Sequence, residues 1–177
     1  MPPEPIGVIV VMLHGAGSRG DQAVQPLEVE AARRGLILLA PQSHAETWDG
    51  IRGEAASDAT AIAELLQGVI DRTAVRSIAI AGFSDGASYA LGLGLGNGGI
   101  FRHVLAFSPG FVAGTERRGD PKLFISHGTH DQVLPIDRCS RRFVPALRQV
   151  YEVDYREFDG GHLVRPDLVE AALESVE

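Results

Sequence analysis

Apolar residues fall into two kinds of run along this chain. Short runs rich in β-branched residues occupy 7–13 (GVIVVML), 36–40 (LILLA), 76–81 (RSIAIA), 103–107 (HVLAF) and 122–127 (KLFISH). Nearly continuous apolar runs of this length are what parallel strands covered on both faces require. A sixth run, 151–158 (YEVDYREF), alternates Val153, Tyr155 and Phe158 with charges and predicts an edge strand. Between these runs the spacing becomes helical. In 54–71, Ile62, Leu65, Leu66 and Val69 recur at i, i+3, i+4 and i+7, a stripe suited to packing on a sheet. Val24, Leu27 and Ala31 repeat the pattern in 21–34. A helix over 137–149 carries Phe143, Val144 and Leu147, with Pro145 set to kink or shorten it. The last helix begins at Pro166, a favoured first position, and buries Leu168, Val169, Ala172 and Leu173.

Strands alternating with helices, with no linker or shift of composition, predict one α/β domain over 1–177. Its expected form is a three-layer α/β/α sandwich around a mainly parallel sheet of about six strands, joined by right-handed crossovers. One segment fits poorly. In "LGLGLGNGG" (91–99) glycines sit inside the helix expected after Ser84, at about 1 kcal/mol each relative to alanine. Close packing of that helix on its neighbours would account for them. Ligands of such sheets bind outside the carboxyl ends of the strands, so the chemistry is expected in loops that follow strands.

Charge and composition narrow the classes of partner. A net charge of −7 argues against a nucleic-acid backbone, which needs a cationic face. The pairs Arg33-Arg34, Arg117-Arg118 and Arg141-Arg142 are scattered and read as solvated surface. The apolar opening, 6–13, is too short to span a membrane. It lacks a basic leader and follows Pro2, Pro3 and Pro5, so it does not read as a signal peptide. Cys139 is the only cysteine, which excludes an internal disulfide and reads as a small buried hydrophobe in a helix. The expectation is a cytoplasmic protein without nucleic-acid or membrane-spanning character.

Against that background "AGFSDGAS" (81–88) stands out. Gly82-Phe83-Ser84-Asp85-Gly86 matches G-x-S-x-G at a strand end, where a sharp turn into a helix projects a serine hydroxyl. A hydroxyl is a poor nucleophile at neutral pH and needs a base within hydrogen-bond reach. His162, in "DGGH" after the last strand, is the favoured base over His14, His44, His103 and His127. The base needs a carboxylate to fix its tautomer. Asp131 in "ISHGTHDQVLP" (125–135) is favoured, with Asp159 and Asp137 behind it. Acyl transfer also needs N–H donors for a developing oxyanion. The glycine-rich loop "LHGAGSRG" (13–20) offers that of Ala16, and Asp85 offers the second. This loop has neither G-x-x-x-x-G-K-[ST] nor G-x-G-x-x-G, which counts against a phosphate cradle. His127, His130 and Asp131 make a weak metal cluster with no evident fourth ligand, so no metal is assigned.

These stretches together resemble the α/β-hydrolase superfamily, and within it the phospholipase/carboxylesterase branch that includes acyl-protein thioesterase-like enzymes. The matching pieces run in order: Leu13-His14-Gly15, "LLAPQ" (38–42), Trp48-Asp49, "GFSDG" (82–86), "HGTHDQVLP" (127–135) and "GGH" (160–162). The resemblance implies a serine hydrolase of small carboxylic esters or thioesters that works through an acyl-enzyme and needs no cofactor. Ser84 is then the nucleophile, His162 the base and Asp131 its orienter. It implies a pocket near His14, Gly15, Trp48 and Val133, with Trp48 open to either a packing or a substrate-contact role. Departures are plain. The chain opens at what would be the third strand of a larger member, has no segment long enough for a lid, and carries Asp85 where members of this branch often have glutamine. A peptidase, an acyltransferase or a binding protein without turnover could use the same fold.

Overall fold

The six apolar runs become six strands whose pairings are all parallel. A computed structural model describes residues 6–54 and 56–177; Pro2, Pro3, Pro5 and Ala55 lie outside the described residues. The strands are β1 (Val8–Leu13), β2 (Ile37–Leu39), β3 (Ser77–Phe83), β4 (His103–Phe107), β5 (Lys122–Gly128) and β6 (Val153–Phe158). Their order across the sheet is β2-β1-β3-β4-β5-β6. β6 is the edge that its alternation predicts, with Asp154, Arg156 and Glu157 exposed and Phe158 buried. The other edge is β2, only three residues long and half-covered at Ile37 and Leu38, where the sequence pattern predicts a strand buried on both faces. The register aligns Leu13 with Gly82, Phe83 with Phe107, and Gly128 with Phe158. The residues that follow these strand ends therefore emerge along one margin of the sheet.

The period of two along each strand sorts side chains between two cores. Ile9, Val11, Ile80 and Val104 face one helical layer, while Val10, Met12, Leu105 and Phe107 face the other. The first layer is made by α3 (Asp49–Arg52), α4 (Ser57–Ile70), α5 (Asp85–Gly96) and α6 (Ser140–Leu147). The second is made by α2 (Gln25–Arg34) and α7 (Pro166–Glu174). The expected stripe on α4 holds at Ile62, Leu66 and Val69, but Leu65 is exposed, because only one side of that helix meets the sheet. The single helix expected over 21–34 is two, α1 (Gly20–Ala23) and α2, with Val24 between them and Pro26 in the first turn of α2. The expected 137–149 helix is a 3₁₀ turn at Ile136–Arg138 followed by α6, which ends two residues after Pro145. Cys139 is buried at that junction rather than inside the helix.

The glycines of α5 have a steric cause. A Cβ at Gly92 would lie 2.0 Å from the Ala113 carbonyl oxygen, and one at Gly94 would lie 2.3 Å from a Val104 methyl. The Gly92 neighbour is backbone and cannot rotate away. Gly92→Ala is therefore expected to cost about 3 kcal/mol in overpacking against a helix-propensity gain of about 1 kcal/mol. Gly68, inside α4, has open space where its Cβ would stand. Gly68→Ala should stabilise by about 0.5–1 kcal/mol. Urea unfolding of the two variants should shift the midpoint in opposite directions.

Candidate active site

The turn out of β3 is strained at Ser84, whose φ of 58° and ψ of −121° are unusual for a side chain with a Cβ. Such a conformation costs of order 1–3 kcal/mol and persists only where its surroundings dictate it. Here the Ser84 N–H donates to the Phe107 carbonyl at 3.0 Å, while its own carbonyl accepts from Ala87 and Ser88 at 3.0 Å each. The flanking glycines leave no alternative. A Cβ at Gly82 would lie 2.2 Å from the Gly86 carbonyl oxygen, and one at Gly86 would lie 2.3 Å from that of Leu13. The turn packs backbone on backbone and lifts the Ser84 hydroxyl above the sheet margin.

His162 and Asp131 meet that hydroxyl. His162 Nε2 is 2.9 Å from Ser84 Oγ, and His162 Nδ1 is 2.6 Å from Asp131 Oδ2. Two loops hold this alignment. A Cβ at Gly128 would lie 2.3 Å from the Gly161 carbonyl oxygen, so the end of β5 presses directly on the loop carrying His162. The His130 N–H donates to the Gly160 carbonyl at 2.9 Å across the same seam. Asp131 is buried, and its Oδ1 accepts the N–H groups of Val133 at 2.9 Å and Leu134 at 2.8 Å. Burial alone would raise its pKa, but the His162 hydrogen bond and the Leu134 N–H outweigh burial and hold the carboxyl below its ordinary value. Asp131 is thus a carboxylate at neutral pH. Asp159, the rival orienter, is on the surface and pairs with His130 at 3.0 Å. That pairing also turns His130 away from His127 and Asp131, so the three do not form one cluster.

A second histidine backs the carboxylate. Fully buried His127 places Nε2 2.8 Å from the Leu134 carbonyl and 3.2 Å from Asp131 Oδ2, with Nδ1 against the Ser140 hydroxyl. Nε2 faces two acceptors and therefore carries the proton. Burial lowers the His127 pKa and keeps the ring neutral.

The loop after β1 abuts the nucleophile, since a Cβ at Gly15 would lie 3.3 Å from Ser84 Cβ. It is stitched by the Gly17 N–H to the Glu46 carbonyl at 2.7 Å and the Ser18 N–H to the Gly15 carbonyl at 3.1 Å. Among the described residues, the N–H groups of Ala16 and Asp85 have no protein acceptor. Two expected pocket residues are corrected here. His14 and Trp48 are completely buried and cannot touch a ligand. His14 Nδ1 donates to the Gly15 carbonyl at 2.8 Å while Nε2 accepts the Ser43 N–H at 3.1 Å. Trp48 donates its indole N–H to the His14 carbonyl at 2.8 Å and stacks on Tyr89. Both brace the loop from behind. The Val133 side chain points into solvent, and its backbone N–H serves Asp131 instead.

Sequence spacing gives no sign of several other contacts. The Asp85 carboxylate accepts the Thr47 hydroxyl at 2.7 Å. Ser88 Oγ accepts the Gly110 N–H at 2.9 Å and ties down the loop after β4. Buried Asp49 and Asp58 each accept the other's backbone N–H, at 2.7 and 2.8 Å, and Asp58 also takes His44 Nδ1. This knot anchors the 44–49 loop that carries Thr47. Burial raises the Asp58 pKa, but the His44 side chain and the N–H groups of His44 and Asp49 bring it below the ordinary value. A depressed carboxyl contributes stability that is full above its unfolded pKa, near 4, and lost as pH falls through the folded value. The thermal midpoint should drop below about pH 4. Asp58→Asn should be less stable at pH 7 and show a shallower acid drop in a melting series.

No protein-family model matches the chain, and no curated protein matches it in sequence. Solved structures do match. Esterase PE8 superposes with a TM-score of 0.75 at 19% identity, over 99% of this chain and 95% of the esterase. A phospholipase/carboxylesterase from Dyadobacter fermentans gives 0.74 at 21% identity, over 96% and 89%. The Bacillus cereus carboxylesterase gives 0.71 at 18% identity, over 99% and 88%. Nearly the whole chain superposes on each, and on that ground this chain has the α/β-hydrolase fold.

Proposed function

We propose that this chain is a serine hydrolase of small carboxylic esters or thioesters, acting as a single domain through an acyl-enzyme. The observation that carries the reading is the unbroken relay from Asp131 through His162 to Ser84, at 2.6 and 2.9 Å, ending on a strained turn. His162 Nε2 takes the Ser84 proton as Oγ attacks the acyl carbon. The carbonyl oxygen becomes an oxyanion facing the free N–H groups of Ala16 and Asp85. Collapse of the intermediate breaks the bond to the alcohol, and His162 returns the proton to the leaving oxygen. Water then attacks the acyl-Ser84 ester by the same path and releases the acid. Asp131 stays ionised throughout and stabilises the imidazolium. The esterase names of the superposed structures support this class of reaction. Among the described residues no helix is long and apolar enough to cross a membrane. A cytoplasmic site of action fits the lone buried thiol of Cys139, whose pKa burial raises.

The test is hydrolysis of p-nitrophenyl esters from acetate to palmitate, with labelling of Ser84 by a fluorophosphonate alongside. Activity peaking at one acyl length, together with the label, would support the reading. A folded protein that neither turns over nor labels would favour a binding role. Proton transfer here involves only side chains and water, so chelators should leave the rate unchanged. A strong loss with EDTA would overturn the mechanism.

A further inference from the structure

A cavity of about 350 Å³ shares a wall with His162. Ala23, Pro26, Phe83, Leu163 and Val164 line it, with buried Met12 beneath them, and Gly15 borders it on the side of the oxyanion loop. Ser18 and Gln22 are polar, but no Asp, Glu, Lys or Arg lines it. Resting on the hydrolase reading, we infer that this cavity receives the leaving group, and that the enzyme prefers esters of compact, uncharged, apolar alcohols.

The assignment follows from the path of the proton. Nε2–H must come within about 2.6–3.2 Å of the leaving oxygen when the intermediate collapses. Nε2 is already 2.9 Å from Ser84 Oγ, so the leaving oxygen has to lie beside the imidazole, with the carbonyl oxygen turned toward Ala16 and Asp85. Whatever that oxygen carries extends past His162. The cavity begins there, bounded by the base itself, the two residues after it and Phe83, whose ring centroid is 4.7 Å from that of His162. Its volume is near the lower end of ligand pockets, about 300–1,000 Å³. At roughly 30 Å³ per water-sized group it holds roughly ten non-hydrogen atoms. A charged alcohol would lose its hydration there and find no counter-ion.

The experiment holds the acyl group constant as acetate and varies the alcohol: methyl, butyl, 3,3-dimethylbutyl and choline. The last two have nearly the same shape and differ in charge. Each buried methylene is worth about 0.8 kcal/mol, or roughly fourfold. The expected kcat/KM for 3,3-dimethylbutyl acetate exceeds that for methyl acetate by at least about tenfold, mostly through KM, and exceeds that for acetylcholine by a similar factor. Ala23→Leu fills the cavity, and the ratio of dimethylbutyl to methyl ester should fall at least about fivefold. Leu163→Gln, at a half-exposed wall position that tolerates change, should lower the same ratio and serves if Ala23→Leu does not fold. A reciprocal series of methyl acetate, butyrate and hexanoate runs beside it. Equal rates across the alcohols, or a ratio that ignores both variants, would overturn the assignment. So would loss confined to the acyl series, which would make the cavity an acyl site. If wild type cleaves none of the acetates, butyrates or hexanoates and the fluorophosphonate leaves Ser84 unlabelled, the hydrolase reading itself fails; if Ser84 is labelled but none of the esters is cleaved, the leaving-group assignment alone is overturned.

Discussion

Ser84→Ala lowers kcat by about 10⁴-fold or more while the protein stays folded. The size of the loss comes from the geometry. Without Oγ the chain has no atom 2.9 Å from His162 Nε2 to receive the acyl group, and the base has nothing to activate. What survives is the binding of substrate against the Ala16 and Asp85 N–H groups, which gives a small rate over water. The fold should tolerate the change because the alanine keeps the Cβ, and the turn is held by backbone bonds of Ser84 that need no hydroxyl. Ser84→Gly makes a sharper companion. Glycine adopts φ of 58° without strain, so this variant should be more stable than Ser84→Ala by about 1 kcal/mol and equally inactive. A position where glycine is more stable than alanine marks backbone strain held in the turn. Comparable activity in wild type and Ser84→Ala would end the acyl-enzyme reading, and the stopped assay and thermal melt can be run on the same samples.

The parts of this molecule legible in the sequence are those governed by local rules. Strand runs were found within a residue or two because apolar β-branched stretches have few other fates. Pro166 opens α7 as its place in the pattern predicts. The candidates Ser84, Asp131 and His162 could be picked out because each lies in a loop that follows a strand end, and the parallel register brings those ends to one margin. What stayed hidden depends on partners far along the chain. His14 is 28 residues from Gln42 and Thr47 is 38 from Asp85, and no spacing rule links them. His14 opens the loop that abuts the nucleophile and Trp48 packs against that loop, yet both sit behind it, because the His14 carbonyl needs a donor and the Trp48 indole supplies one. Which face of a loop a side chain takes is decided by such unpaired backbone groups. Leu65 shows the same limit on a helix: the stripe identifies a face, but its width is set by how far the sheet extends beneath it.

Asp131→Asn should lower kcat by about 10³–10⁴-fold, less than loss of the nucleophile, whereas Asp159→Asn should change it by less than about twofold. The ranking follows from burial and from the donors each carboxylate collects. Asp131 Oδ2 takes His162 Nδ1 at 2.6 Å and His127 Nε2 at 3.2 Å, while its Oδ1 takes two backbone N–H groups. Asparagine can keep the backbone pair through its oxygen, but its NH₂ then faces His162 and His127. An amide donor against Nδ1 favours the tautomer with the proton on Nε2, which cannot accept the Ser84 proton. The negative charge that stabilises the imidazolium is also gone. His127 meets the same amide with an N–H of its own, so Asp131→Asn should cost stability as well, about 1–3 kcal/mol for buried donors left without acceptors. Asp159 has none of these obligations; its side chain is 91% exposed and its one partner is the surface residue His130. The two variants separate the roles cleanly, since Asp131→Asn keeps the Ser84 hydroxyl and should still be labelled slowly by a fluorophosphonate, whereas Ser84→Ala should not be labelled at all. A large loss in Asp159→Asn with a mild one in Asp131→Asn would move the orienter to the surface loop and would contradict the 2.6 Å contact on which the relay rests.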